Sequence, residues 1–90
     1  MSVKIHLTSY FQPFADNKEV IEADGRTVGQ CLSHLVKQFP DIEKMLFDEN
    51  GNLFHYASIY VNGEDAYPED LAKTVKDGDE VYILYTIGGG

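Results

Sequence analysis

A two-layer α+β domain, with one main helix laid across a mixed sheet, is the fold class this sequence predicts. Three observations carry the prediction. Residues 80–87 (Glu80-Val81-Tyr82-Ile83-Leu84-Tyr85-Thr86-Ile87) are rich in β-branched and aromatic types on both alternating faces, the composition of a strand buried near a sheet's centre. Residues 28–39 set Val28, Cys31, Leu32, Leu35, Val36 and Phe39 at helical spacing along a single apolar stripe. Residues 3–9 alternate, with Val3, Ile5 and Leu7 on one side. A one-striped helix must bury its stripe against a sheet face, which makes two layers.

Taken in order, residues 3–9 form the first strand, and residues 10–17, with Pro13 and Asp16-Asn17, an open turn. Residues 18–23 are the expected second strand, broken by Asp24-Gly25-Arg26. Thr27 is a good N-cap, and Gln30 stands at the capping-box spacing behind it. Pro40 ends the helix, because the residue before proline avoids the helical region. A short helical turn is expected over residues 41–46, a loop over 47–52 tightened at Asn50-Gly51, and a short edge segment over 53–56. Residues 57–61 are a strand followed by the turn signal Asn62-Gly63. Glu64-Asp65 reads as a solvated turn, residues 67–71 as irregular or briefly helical, and Lys76-Asp77-Gly78-Asp79 as the turn into the last strand.

With 90 residues, no internal repeat and no linker, the expected organisation is one domain over residues 1–87 and a glycine tail over 88–90. The formal net charge of −8 argues against nucleic acid and anionic membranes, whose phosphates need clustered Lys and Arg. No apolar run reaches a membrane span. The start lacks the basic and apolar segments of a signal peptide, and a single cysteine forms no internal disulfide, so a cytoplasmic location is expected.

Candidate chemistry inside the domain is thin. Cys31 lies within the helix stripe and reads as a buried structural thiol. His6, His34 and His55 share no metal-ligand spacing with one another or with Cys31, so no metal site is expected. No nucleophile triad, phosphate loop or dinucleotide fingerprint occurs. Two features remain. If the helix covers Val81, Ile83, Tyr85 and Ile87, then Tyr82 and Leu84 face outward, as does Tyr60, and apolar side chains on an open sheet face suggest docking. The other reading of that face is that residues 41–56 fold over it and make it core. Beyond it, Gly88-Gly89-Gly90 carry the terminal carboxylate on a bare backbone that suits a narrow channel, although a plain chain end has the same composition.

Hairpin, helix, strand, strand and a terminal Gly-Gly together resemble the ubiquitin-like β-grasp fold. More specifically, Ile59-Tyr60-Val61-Asn62-Gly63-Glu64-Asp65, then Lys76-Asp77-Gly78-Asp79-Glu80-Val81, then the glycine end resemble the MoaD/ThiS family of sulfur carriers over essentially the whole chain. Residues 41–57 look closer to its molybdopterin and cysteine-synthesis members than to a minimal thiamine carrier. Gly88 departs from the pattern, where such carriers more often have a small non-glycine residue.

The resemblance implies that Gly89 and Gly90 are the reacting terminus. An E1-like activating enzyme would adenylate the Gly90 carboxylate with ATP, and sulfur would replace AMP to leave a thiocarboxylate. The chain would be a co-substrate without catalytic residues or bound cofactor, serving a sulfur acceptor such as the molybdopterin-synthase large subunit. The family's sheet-face position maps onto Leu84, which supports Leu84 and Tyr82 as partner contacts; Tyr60, outward beside them by alternation, and Gly88 in the tail are expected to join them. A ubiquitin-like modifier joined to lysines through Gly90, and a binding module with an inert tail, are the alternatives.

Overall fold

The computed structural model describes residues 2–54 and 56–85. Five strands form one sheet: β1 (Ser2–Leu7), β2 (Val20–Asp24), β3 (Ala57–Val61), β4 (Glu64–Asp65) and β5 (Glu80–Tyr85), in the order β2-β1-β5-β3-β4. β5 is central, as its two apolar faces predict. It runs parallel to β1, with Ile5 opposite Val81 and Leu7 opposite Ile83, and antiparallel to β3, with Ile59 opposite Ile83. Thr86 and Ile87, the expected domain boundary at residue 87 and the tail over 88–90 lie outside the described residues.

Strand alternation and the helix stripe meet in one core. Val3, Ile5, Leu7, Ile59, Val61, Val81 and Ile83 point to one side of the sheet and are buried. Helix α1 (Val28–Gln38) lays Val28, Cys31, Leu32 and Leu35 against them, all fully buried, while Val36 and Phe39 close the stripe half-buried at its margin. Removing one such leucine or isoleucine side chain from water stabilises by about 1.5–3 kcal/mol. Thr27 caps the helix as expected, its Oγ1 accepting from Gln30 N at 3.1 Å. The Gln30 side chain reaches one residue further back than a capping box requires: its Oε1 accepts from Arg26 N at 2.8 Å.

Gly25 permits the tight entry into α1. A Cβ there would stand 2.8 Å from Cys31 N and 2.9 Å from Cys31 Sγ, so no side chain fits between β2 and the helix.

The connector from α1 to β3 packs on the core side. A 3₁₀ turn over Pro40–Ile42 runs into α2 (Glu43–Leu46), burying Ile42 and Leu46, with Met45, Phe47, Leu53 and Tyr56 packed partly buried against the same cluster. The expected edge segment over 53–56 is not found at its described residues: Leu53 makes an isolated bridge to Phe47, and neither Phe54 nor Tyr56 lies in a strand. The edge is β4 instead, because Glu64 and Asp65 are exposed yet pair with Val61 and Tyr60 rather than forming a free turn. Asn62 and Gly63 take positive φ of 51° and 87°, the twist of a two-residue hairpin, and that returns the chain onto β3. Antiparallel β1–β2, a covering helix, and a last strand parallel to the first make up the β-grasp arrangement.

Candidate functional site

The core takes one face of the sheet and leaves the other open. Because α1 and the connector residues Ile42, Met45, Leu46, Phe47, Leu53 and Tyr56 pack against the core, Tyr60, Tyr82 and Leu84 sit half-buried on the opposite face, where alternation places them. The register lines them up. Tyr82 lies between His6 of β1 and Tyr60 of β3, and Leu84 pairs with Ser58 one row on. Lys4 and Glu22 on the same face are exposed, and Val20 is 43% exposed.

His6, for which the sequence suggested no metal-ligand role, belongs to this face through contacts that spacing does not show. Its ring stacks on Tyr82 at 4.2 Å between centroids and 9° between planes, and Nε2 donates to Glu80 Oε1 at 2.7 Å. The stack fixes the two rings against each other on this face, and the carboxylate holds the imidazole's rotamer. Only strand register brings residues 6 and 82 together, so no local sequence pattern announces the pair. The result is an aromatic strip bordered by charge, the composition of a protein contact surface.

A second aromatic group stands where β5 ends. Tyr85, on the core side of the strand, stacks on Tyr10 at 3.8 Å and 8°, and meets Tyr56 edge-on at 5.1 Å and 71°. Partial burial pushes the phenols of Tyr10 and Tyr56 above their ordinary pKa, with the neighbouring phenols adding to the effect, so both stay neutral hydroxyls at pH 7. Among the described residues this cluster borders the chain's exit towards Gly88, Gly89 and Gly90, the residues on which the expected chemistry falls and which lie outside the described set.

The remaining candidates are structural. Cys31 is fully buried, and burial together with the Asp24 carboxylate raises its thiol pKa, the opposite of an activated nucleophile. His34 Nδ1 accepts from Asp24 N at 2.7 Å, which ties α1 to the end of β2. Among the described residues no group of three or more His, Cys, Asp or Glu could hold a metal ion, and no helix is long and apolar enough to cross a membrane.

An antiparallel β1–β2 pair, a helix across one face and a last strand parallel to the first define the class of ubiquitin-like β-grasp proteins. Within that class the chain belongs to the ThiS family, whose profile matches residues 5–90. It is similar to the sulfur carrier protein CysO of Mycobacterium tuberculosis, 32% identical with both chains covered in full. It is also similar to small archaeal modifier protein 1 of Haloferax volcanii, 33% identical over 86% of this chain and 94% of that one. Among solved structures, that of the Amycolatopsis orientalis BexX/CysO complex superposes with a TM-score of 0.87 at 28% identity, covering 98% of this chain and 99% of that one. These relatives are named as carriers and modifiers rather than as catalysts.

Proposed function

We propose that this protein is a sulfur carrier whose Gly90 carboxylate is activated and converted to a thiocarboxylate. A carboxylate oxygen attacks the α-phosphorus of ATP on an E1-like adenylating enzyme, and pyrophosphate leaves. Hydrosulfide then attacks the acyl carbon, AMP leaves with the bonding pair of the C–O bond, and the thioacid loses its proton. Every catalytic group belongs to the partner; this chain supplies the substrate carboxylate and the surface that presents it, and binds no cofactor of its own. Gly89 and Gly90 let the backbone approach reacting groups where a Cβ would collide. Tyr60, Tyr82 and Leu84 dock the adenylating enzyme and then the sulfur-acceptor enzyme, and Gly88 lies along the channel. We place the exchange in the cytoplasm.

One observation supports this reading most. Tyr82 and Leu84, on the open face, belong to β5, the last described strand, whose end at Tyr85 precedes Gly90 by five residues in the sequence, so a partner seated on Tyr82 and Leu84 receives the carboxylate from a fixed origin. Similarity to the CysO carriers favours delivery into amino-acid biosynthesis over delivery to a molybdopterin-synthase large subunit. Deleting Gly89-Gly90 tests the reading: the truncated chain keeps its fold and loses sulfur delivery in a complementation assay. Full complementation by the truncated chain would overturn it.

The 33% identity to the archaeal modifier supports a second reading, in which the activated Gly90 acyl group is transferred to lysine amines of other proteins. Blots of native lysate for larger covalent adducts separate the two. The carrier reading predicts none that depend on Gly90.

A further inference from the structure

The carrier reading leaves Tyr10 unused, and its placement calls for an explanation. Tyr10 is one of three large apolar side chains among the described residues that stand more than a third exposed, at 38%. Beneath it, Phe11 is fully buried and meets both Tyr10 and Tyr85 edge-on, at 5.1 and 6.2 Å. The Tyr85 ring is therefore held by chain segments far apart in sequence: Tyr10 and Phe11 from the turn after β1, and Tyr56 from the approach to β3, whose own hydroxyl donates to Met45 O at 3.2 Å. Tyr85 closes β5, and five residues, 86–90, separate it from the terminal carboxylate. At about 3.3–3.6 Å per residue those five span at most ~18 Å, so the end of β5 is the origin from which the carboxylate is presented.

We infer that Tyr10 is a positioning residue for activation of the carboxyl terminus: its stack on Tyr85 fixes the direction in which the chain leaves β5 and enters the adenylating enzyme. The inference rests on the carrier reading and goes beyond the sheet-face contacts. Tyr10 touches no reacting atom; it acts through Tyr85. Docking and positioning separate kinetically. Tyr60, Tyr82 and Leu84 lie on the opposite face, so disturbing Tyr10 leaves encounter intact and lowers the fraction of bound chains whose carboxylate is in line for attack.

The test is steady-state ATP–pyrophosphate exchange by the adenylating enzyme of the same cell, with the full-length chain varied as substrate. Tyr10→Phe keeps the ring stack and stays within twofold of the unaltered chain. Tyr10→Ala lowers kcat about tenfold with KM within twofold and an unchanged far-UV spectrum. Should Tyr10→Ala lose its folded spectrum, Tyr10→Leu, which still covers Phe11 but offers no flat ring, carries the same expectation. An unchanged kcat in the ring-removing variant, a raised KM alone, or an equal loss in Tyr10→Phe overturns the inference. An unaltered chain that supports no exchange would instead overturn the carrier reading beneath it, and this inference with it.

Discussion

Asn62 and Asp79, seventeen residues apart, clasp each other side chain to side chain: Asn62 Nδ2 donates to Asp79 Oδ1 at 3.0 Å. The clasp extends through the backbone. Glu80 N donates to Asn62 Oδ1 at 2.9 Å, Asn62 N donates to Glu80 O at 2.8 Å, and Lys76 N donates to Asp79 Oδ2 at 2.8 Å. The β3–β4 hairpin turn is thereby tied to the turn that starts β5, which places the last strand at the sheet's centre. Asn62→Ala removes the donor to a charged acceptor and leaves Glu80 N without its side-chain partner. It should cost about 1.5–3 kcal/mol, read as a lowered denaturation midpoint with unchanged m-value.

Asp79 also sets part of the acid limb of stability. The Asn62 amide, with the Lys76 N–H, holds its carboxyl below the ordinary carboxylate value near 4. A folded pKa below the unfolded one contributes stability that is fully present above the unfolded value and lost as pH falls through the folded value. Asp79→Asn should therefore show a shallower loss of stability below about pH 4 than the unaltered chain, measured by urea unfolding at a series of pH values. Parallel acid limbs for the two proteins would count against this role.

Gly25 tests the packing of α1. An added methyl at 2.8 Å from Cys31 N meets backbone, which has little room to move. Gly25→Ala should destabilise by about 1–3 kcal/mol, whereas Gly51→Ala, where nothing stands within 4 Å but φ is +81°, carries backbone strain alone. Equal midpoints for Gly25→Ala and the unaltered chain would contradict the close approach.

The fold was legible where local pattern and tertiary need agree. Val3, Ile5 and Leu7 by alternation, and Val28, Cys31, Leu32 and Leu35 by helical spacing, are all core, because each face had only one apolar option. Where burial depends on what the chain meets later, local pattern ran out. Residues 53–56 looked like an edge strand, but the Asn62-Gly63 turn delivers Glu64 and Asp65 to that edge first. Tyr60, Tyr82 and Leu84 could be assigned to the outer face from period alone. The His6–Tyr82 and Tyr10–Tyr85 stacks could not, since strand register and a loop's return create them. The motifs around Asn62-Gly63 and Asp77-Gly78-Asp79 that carried the family resemblance prove to be the two halves of a structural clasp.

The sheet face should behave as a contact surface without being needed for folding. Leu84→Asp places a charge in the half-buried aromatic strip, and binding to the adenylating enzyme should weaken at least tenfold, about 1.4 kcal/mol. Calorimetric titration measures it. Unchanged affinity would remove Leu84 from the interface.

Cys31 should be inert in the native protein. Burial and the Asp24 carboxylate hold its thiol above the ordinary pKa, so a thiol reagent should modify it only as the chain unfolds. Stoichiometric labelling of the folded chain within minutes at pH 7 would contradict its placement in the core.

The claim on which the rest depends is that Gly90 carries sulfur, and intact-protein mass spectrometry addresses it most directly. The full chain is incubated with ATP, sulfide and the adenylating enzyme of the same cell. Exchange of one oxygen for one sulfur, localised to the C-terminal peptide and absent when ATP is omitted, is the predicted result. An unchanged mass, with the same enzyme shown to convert another carrier in parallel, would contradict it.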